Sequence, residues 1–313
     1  MFFCINNMYH NEHNNVGRQR PGPIIIMKTM RSLLKRILPS PTRVRIRRWY
    51  RHVKNAFRSD PKTTIDELRD VLVHDFAISQ GDKLIVSSSF GQLNAEYSPQ
   101  DVVDLLKELV GGEGLMMMPY YPPMNSTEWA AKGEVFDMTH TRSGMGILTN
   151  VFAHSEGVVM SKHPTKAVCV WGKDAAHIAS GHDSSITPFF WDSPYGKLLK
   201  LHSKSLGLGL KNIPIFHTFE DVLAESPDYY YQTNKYALPL ITCDGERVMI
   251  NTFVHDDNVL NRCVAAGDYV RSLKCKSYIR CNFGHAFLYV IDNDDLFDRC
   301  RVEFAHGNSR IRN

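Results

Sequence analysis

From residue 64 onward the apolar positions fall into short runs whose period switches between that of a helix and that of a strand. Ile65, Leu68, Val71, Leu72 and Phe76 recur every three or four residues, which predicts an amphipathic helix over 65–78 with Asp60-Pro61 just outside it. The apolar block 83–86 is too short for a helix and predicts a buried strand running out into Ser87-Ser88-Ser89. A second helical stretch, 99–110, stops at Gly111-Gly112, and 114–121 predicts the next strand, closing at Met118-Pro119. Strand, helix, strand at this spacing implies a parallel pair with a right-handed crossover. Further on, 147–153 predicts a helix, while 237–254 and 281–291 alternate as strands, the first of them turning at Asp244-Gly245. The class is α/β: a mixed sheet with parallel βαβ units flanked by helices, plus a C-terminal antiparallel β section.

The chain ahead of this domain (61–313) has a different character. Residues 1–27 are polar and Asn-rich, interrupted by Pro21, Gly22 and Pro23, and predict a disordered leader; Met27 is a candidate start. Residues 28–60 predict a basic helical arm, in which Leu33, Leu34, Ile37, Trp49, Tyr50 and Phe57 sit among Arg and Lys. Up to Ser59 there are 13 Lys/Arg and a single acid, Glu12, so the remainder holds 24 basic and 32 acidic groups within a net charge of +4. A basic arm on an acidic body fits a helix packing one face on the domain, and also peripheral contact with an anionic membrane. No nucleic-acid motif organises the arm, so no nucleic acid is expected as a partner.

Composition excludes several classes. At 43% hydrophobic residues in 313, the chain can bury a sizeable core. No apolar run approaches the ~20 residues of a membrane span, and the opening residues lack a secretory pattern. Seven cysteines, an odd number without a Cys-x-x-Cys, read as reduced, mostly buried thiols of a cytoplasmic protein. The 14 histidines contain no His-x-x-x-His or His-Glu-x-x-His, so no metal is expected.

The candidate chemistry lies between residues 141 and 220. Thr141-Arg142-Ser143-Gly144-Met145-Gly146 places hydroxyls, a guanidinium and glycines ahead of a helix, in the manner of an anion cradle, without the Lys-Ser/Thr ending of a nucleotide P-loop. Ser87, Ser88 and Ser89 follow a strand's carboxyl end, where open α/β sheets bind ligands, though three serines also make an ordinary turn. Gly207-x-Gly209 lacks the third glycine of a dinucleotide fingerprint. His163-Pro164 offers either an acid/base group or a histidine that fixes a turn. Asp192 offers either a helix cap before Ser193-Pro194 or a substrate contact. His217 and Glu220, three apart on a helix, share one face, so a base and an orienting carboxylate can meet; a surface pair has the same spacing.

Taken in order, these pieces resemble the aminoglycoside 3-N-acetyltransferase family, which is distinct in fold from the GNAT acetyltransferases. The resemblance spans roughly 83–220 and continues loosely to Asp298. It is carried by Ser88-Ser89, Met118-Pro119, Thr141-x-Ser143-x-Met145-Gly146, His163-Pro164, Val170-Trp171-Gly172-Lys173, Asp192 to Leu198, Gly207-x-Gly209 and His217-x-x-Glu220. The basic arm, the Val-Trp-Gly-Lys run and Ser193-Pro194-Tyr195-Gly196-Lys197-Leu198-Leu199 bring it closer to relatives that modify amino sugars in surface-glycan assembly.

The resemblance implies acetyl transfer from acetyl-CoA to a primary amine of an amino sugar or aminoglycoside-like acceptor. His217 would be the general base, Glu220 its orienting group and His163 a second acid/base. Ser88 and Ser89 would serve the thioester oxygen, and Thr141, Arg142, Ser143 and Gly146 would hold CoA. Four departures stand against the family pattern: Ser87 for a His, Asn150 for a Glu, Ala167 for a Ser, and Ile213-Pro214-Ile215 for hydroxyl-bearing residues. They point to an altered acceptor with fewer amines. The alternative is a catalytically weakened homologue acting as a binding or scaffold subunit.

Overall fold

The computed structural model describes residues 61–224 and 229–311; the predicted leader and basic arm lie outside them. Strand β1 (Lys83–Ser88) explains the architecture. Successive side chains of a strand point to opposite faces, so an uninterrupted apolar run needs a core on both sides. Leu84 and Val86 enter one core cluster and Ile85 the other. β1 lies between β2 (Leu115–Pro119) and β6 (Lys204–Leu208), parallel to both, with Ile85 in register with Met117 and with Ser205.

Antiparallel strands extend this parallel centre on each side. β5 (Val168–Gly172) pairs with β2, and the short β4 (Val159–Met160) pairs with β5. On the other side β10 (Ala286–Asp292) pairs with β6, and β9 (Ile279–Phe283) pairs with β10. The order is β4-β5-β2-β1-β6-β10-β9. A second sheet of three strands sets β3 (Phe136–Asp137) parallel to β7 (Tyr236–Ile241), which forms a hairpin with β8 (Arg247–Thr252). The predicted C-terminal antiparallel section is therefore real but divided. One hairpin completes the main sheet, and the other, turning at Gly245, buries Leu238, Leu240 and Ile250 in the first core.

The first face of the main sheet is covered by α1 (Ile65–Asp70), α2 (Pro99–Val110), α3 (Ser126–Lys132) and α4 (Ile147–Ala153) through Leu68, Val102, Leu106, Trp129, Leu148 and Phe152. On the other face lie α5 (Ala175–Ala179), α6 (Pro194–Leu199), α7 (Phe216–Ala224), α9 (Ala266–Leu273) and α10 (Asn293–Ala305), with α8 (Asp257–Arg262) burying no residue. The helix predicted over 65–78 is shorter than its periodicity suggests. A Thr64–Glu67 capping box starts α1, which ends at Asp70 and passes into a π-turn, Val71–Asp75. Leu68, Leu72 and Phe76 are spaced by four, and the wider turn keeps all three in the core. Helix α2 has the predicted bounds, with Ser98 and Asp101 forming its capping box and Gly111 at φ +67° ending it. Six cysteines are described and all are free: Cys169, Cys275 and Cys300 buried, Cys263 and Cys281 half-buried, Cys243 exposed.

Gly207 has a packing role. It lies opposite Tyr289 in the β6–β10 register, and a Cβ there would sit 1.8 Å from the tyrosine ring. The ring crosses the strand at this point and donates its hydroxyl to Asn212 O in the loop after β6. Overpacking costs about 1–3 kcal/mol, so Gly207→Ala is expected to lower the thermal midpoint by roughly 2–12 °C in a domain of this size. An unchanged melting curve would mean that the Tyr289 ring has room to move.

The shell also buries His163, His182 and His255, each at most 2% exposed. Burial depresses all three, His182 to about 3 and the other two well below 6.5, so they remain neutral in the fold. An unfolded chain takes up these protons once the pH falls below about 6.5. Stability is thus complete above that value and declines as pH drops through it, by up to about 1.4 kcal/mol per histidine per pH unit. Denaturant titrations at pH 7 and pH 5 are expected to give a lower midpoint at pH 5, less so for His182→Gln. Equal midpoints would contradict the burial of neutral imidazoles.

Candidate active site

The carboxyl end of β1 opens between β2 and β6, its parallel neighbours on opposite sides. An open sheet leaves a crevice at such a point because the connections diverge to either side. Ser87 Oγ donates to Asn212 O at 3.4 Å, and Tyr289 donates to the same carbonyl, so β1 and β10 both pin the loop leading out of β6. That loop then buries Ile213 and Ile215 in the second core, and Pro214 O and Ile215 O accept the first amide bonds of α7, from His217 and Phe219. Two of the departures from the family pattern thus have a physical role: Ser87 holds the loop, and Ile213-Pro214-Ile215 seats the helix that carries His217.

On α7, His217 Nδ1 lies 3.0 Å from Glu220 Oε2, with the imidazole a quarter exposed and the carboxylate 7% exposed. The other oxygen, Oε1, accepts a hydrogen bond from Arg310 Nε at 2.6 Å, and Nη2 lies 2.5 Å away in an ion-pair contact that is not aligned as a hydrogen bond. Burial pushes the Glu220 carboxyl up, but the Arg310 guanidinium and the His217 contact outweigh it and hold it below its ordinary value. An ionised carboxylate only accepts hydrogen bonds, so Nδ1 carries the proton and Nε2 keeps its lone pair. Burial lowers the His217 imidazole, opposed by Glu220 and assisted by Arg310 and Lys166, which keeps it neutral near pH 7. The ring packs on Phe189 at 5.0 Å and on His255 at 4.8 Å, and His255 lies flat between Phe189 and Tyr231. Lys166 places Nζ 4.6 Å over the Tyr121 ring, and burial lowers its ammonium to about 8.

Tyr121 links this cluster to the predicted anion loop, since its carbonyl accepts from Ser143 Oγ at 3.2 Å and from Gly144 N at 2.8 Å. Ser143 also accepts from Met145 N, so its hydroxyl is committed to the loop. Thr141 Oγ1 accepts from Asp137 N and keeps its own proton to donate. Asn150 clamps the loop: its amide oxygen takes Ser143 N, and its amide nitrogen donates to Ser143 O and Gly146 O. A glutamate, without N–H groups, could not make the last two bonds, which accounts for the third departure. Gly146, at φ +119°, caps α4 beside Ser88 O, and Arg142 is exposed at the rim. The fourth departure, Ala167, is fully buried and takes Tyr120 N on its carbonyl. Ser88 Oγ is buried without a hydrogen-bond partner among the described residues, whereas Ser89 N is bonded to Leu208 O.

Two expectations need correction. His163 does not reach a reacting group: it is 1% exposed, its Nδ1 accepts from Thr165 N and Lys166 N, and its Nε2 meets Thr252 Oγ1 at 2.9 Å. It fixes the turn after Pro164 and thereby aims Lys166. Asp192 is not the helix cap; Ser193 takes that place by accepting from Gly196 N, and Asp192 Oδ2 takes Ile186 N at 3.0 Å. A hydroxyl one residue closer to Pro194 reaches the third helical amide, which the aspartate cannot. Sequence reading passed over Arg310, Lys166, His255 and Asp221. Lys166 sits in the His-Pro motif and was open to notice. Arg310 is 90 residues from Glu220 and carries no local signal.

Known proteins resemble this chain in sequence and in fold. The family model for aminoglycoside 3-N-acetyltransferase matches residues 85–304. Aminoglycoside N(3)-acetyltransferase VIII of Streptomyces fradiae is 27% identical over 200 residues, 58% of this chain and 68% of that protein. Among solved structures, sisomicin-bound AAC-VIa superposes with a TM-score of 0.65 at 21% identity, over 79% of this chain and 99% of the other. AAC-IIIb in binary complex with CoASH gives 0.65 at 18% identity, over 81% and 100%. The match from 85 to 304 takes in the central strands, the Thr141–Gly146 loop and the His217–Glu220 pair, and the chain belongs to the aminoglycoside 3-N-acetyltransferase family, acyltransferases whose acetyl donor is acetyl-CoA.

Proposed function

We propose that this chain acetylates a primary amine on an amino sugar or aminoglycoside-like acceptor in the cytoplasm, with His217 as general base and Glu220 orienting it. One observation carries the reading: Glu220 holds Nδ1 of a partly exposed imidazole and leaves Nε2 with its lone pair. An ammonium cannot attack a thioester. Nε2 takes the proton as the amine nitrogen bonds to the acetyl carbonyl carbon, the carbon–sulfur bond breaks, and the proton becomes available to the departing thiolate. Charge developing on the carbonyl oxygen calls for a donor placed in advance, and Ser88 Oγ, buried and without a partner among the described residues, is suited to that task. The backbone at Gly146, the Thr141 hydroxyl, the exposed Arg142 guanidinium and the loop shaped by Ser143 are suited to the pantetheine and phosphates of CoA. Ser89 retains only its hydroxyl for this purpose.

Charge supports an acceptor with few amines. The Glu220 carboxylate is already matched by Arg310, Lys166 adds a cation beside His217, and Asn150 replaces an acid. Each further ammonium on an acceptor would meet repulsion rather than a carboxylate. An amino sugar bearing one amine, in a nucleotide-linked form or free, fits this balance better than a polyamine.

Free CoA release from acetyl-CoA with panels of amino sugars, nucleotide amino sugars and aminoglycosides tests both parts. His217→Ala is expected to lower acceptor-dependent turnover by about 10²–10⁴-fold, and a mono-amine acceptor is expected to outperform the aminoglycosides. Because burial lowers the His217 pKa, the acid limb of kcat is expected below pH 6.5, with activity lost as pH falls through it. Acetyl-CoA binding by calorimetry without turnover for any acceptor would favour a non-catalytic homologue.

A further inference from the structure

Arg310 lies beyond residue 304, where the match to the family ends, yet it supplies the counter-charge to the carboxylate that orients His217. Its position is fixed independently of that contact. Arg310 O accepts from Val264 N at 2.7 Å, Ile311 bridges Cys263, Tyr229 donates to Ser309 Oγ at 2.9 Å, and Asn308 N bonds Glu303 O. Backbone bonds on both sides of the residue therefore hold segment 308–311 against α10 and the start of α9. From there the guanidinium, 10% exposed, passes over the Phe216 ring at 5.6 Å, donates to Glu220 Oε1 through Nε and brings Nη2 into charge contact with the same oxygen. A carboxylate is free to rotate about its last bond; a charge-assisted hydrogen bond on one oxygen restricts where the other points.

Resting on the reading of His217 as the base, we infer that Arg310 is a positioning residue for acetyl transfer: its Nε hydrogen bond and its charge on Glu220 Oε1 set Oε2 against His217 Nδ1 and keep the full carboxylate charge from falling on the imidazole. The other titratable or charged groups facing this cluster are few. Lys166 and His255 lie beside His217, and Tyr230 and Cys263 beside Arg310, with Tyr269 and Cys300 further along the same wall. Asp221, next on α7, is turned away to the hydroxyls of Thr187 and Tyr231. None of these places a second cation against Glu220, so nothing on that wall replaces Arg310 when it is removed. Without it, the carboxylate faces the imidazole alone and raises its proton affinity, so the base stays protonated to higher pH.

The test is the pH profile of acetyl-CoA-dependent turnover for the full chain, its Arg310→Ala and Arg310→Lys variants, and His217→Ala. Arg310→Ala is expected to lose roughly 10-fold or more in kcat, short of the full 10²–10⁴ that a positioned base supplies. Its KM for acetyl-CoA is expected to change little and its acid limb to move to higher pH. Arg310→Lys is expected to restore the wild-type acid limb in part, since a point charge on a shorter side chain replaces the guanidinium. Guanidinium ion added to Arg310→Ala is expected to recover activity by filling the vacated site. If Arg310→Ala does not fold, Arg310→Lys carries the test through its kcat and pH profile. A wild-type acid limb in every folded Arg310 variant, with no rescue by guanidinium, would overturn the inference while an inactive His217→Ala leaves the proposed reaction standing. Full activity in His217→Ala would overturn both.

Discussion

A carboxylate taken out of water must find opposite charge and hydrogen-bond donors at once, or it takes up a proton. Glu220 meets that demand with Arg310 on one oxygen and His217 on the other, and much of the surrounding structure serves to keep the three in line. α7 supplies two of them, but its start is set by the loop after β6, which is held by Ser87 and Tyr289 at one carbonyl and anchored by Ile213 and Ile215 in the core. The third comes from the segment after α10. Three separate parts of the chain converge on one side chain, and the tautomer of the imidazole follows from their agreement.

The same economy of charge shapes the rest of the crevice. Histidines packed around it are neutral because they are buried: His163 is held by two amides and Thr252, His182 by Ser161 and Pro188 O, and His255 by stacking between Phe189 and Tyr231. Lys166 is the cation left nearest the base. The acid beside it, Glu220, is matched from within the protein by Arg310.

How much of this was legible in the sequence depended on whether the signal was local. The strand 83–86 and the helix 99–110 announced themselves by period and by their stops, because burial on a strand or helix face leaves a local pattern. The pairing of His217 with Glu220 was readable for the same reason. What escaped was tertiary: that two C-terminal hairpins join different sheets, that Arg310 reaches Glu220 across 90 residues, and that Asn150 replaces an acid because its amide can donate as well as accept. His163 misled because a motif position does not reveal that both ring nitrogens are already bonded. Gly207, half of an incomplete nucleotide motif, proved to be where one strand makes room for an aromatic ring.

That ring has a consequence for the order in which the molecule can assemble. Tyr289 reaches Asn212 O across 77 residues and Ser87 reaches the same carbonyl across 125. Contacts so distant in the chain form late, because the entropy of closing such loops is lost before any contact repays it. The first core is closed over the same distances, joining Leu84 and Val86 to Leu206 and Leu288, so the loop that seats the base is fastened along with the central sheet. A chain that has not brought β6 between β1 and β10 therefore lacks the shared carbonyl anchor, and with it the seat of the helix that carries the base.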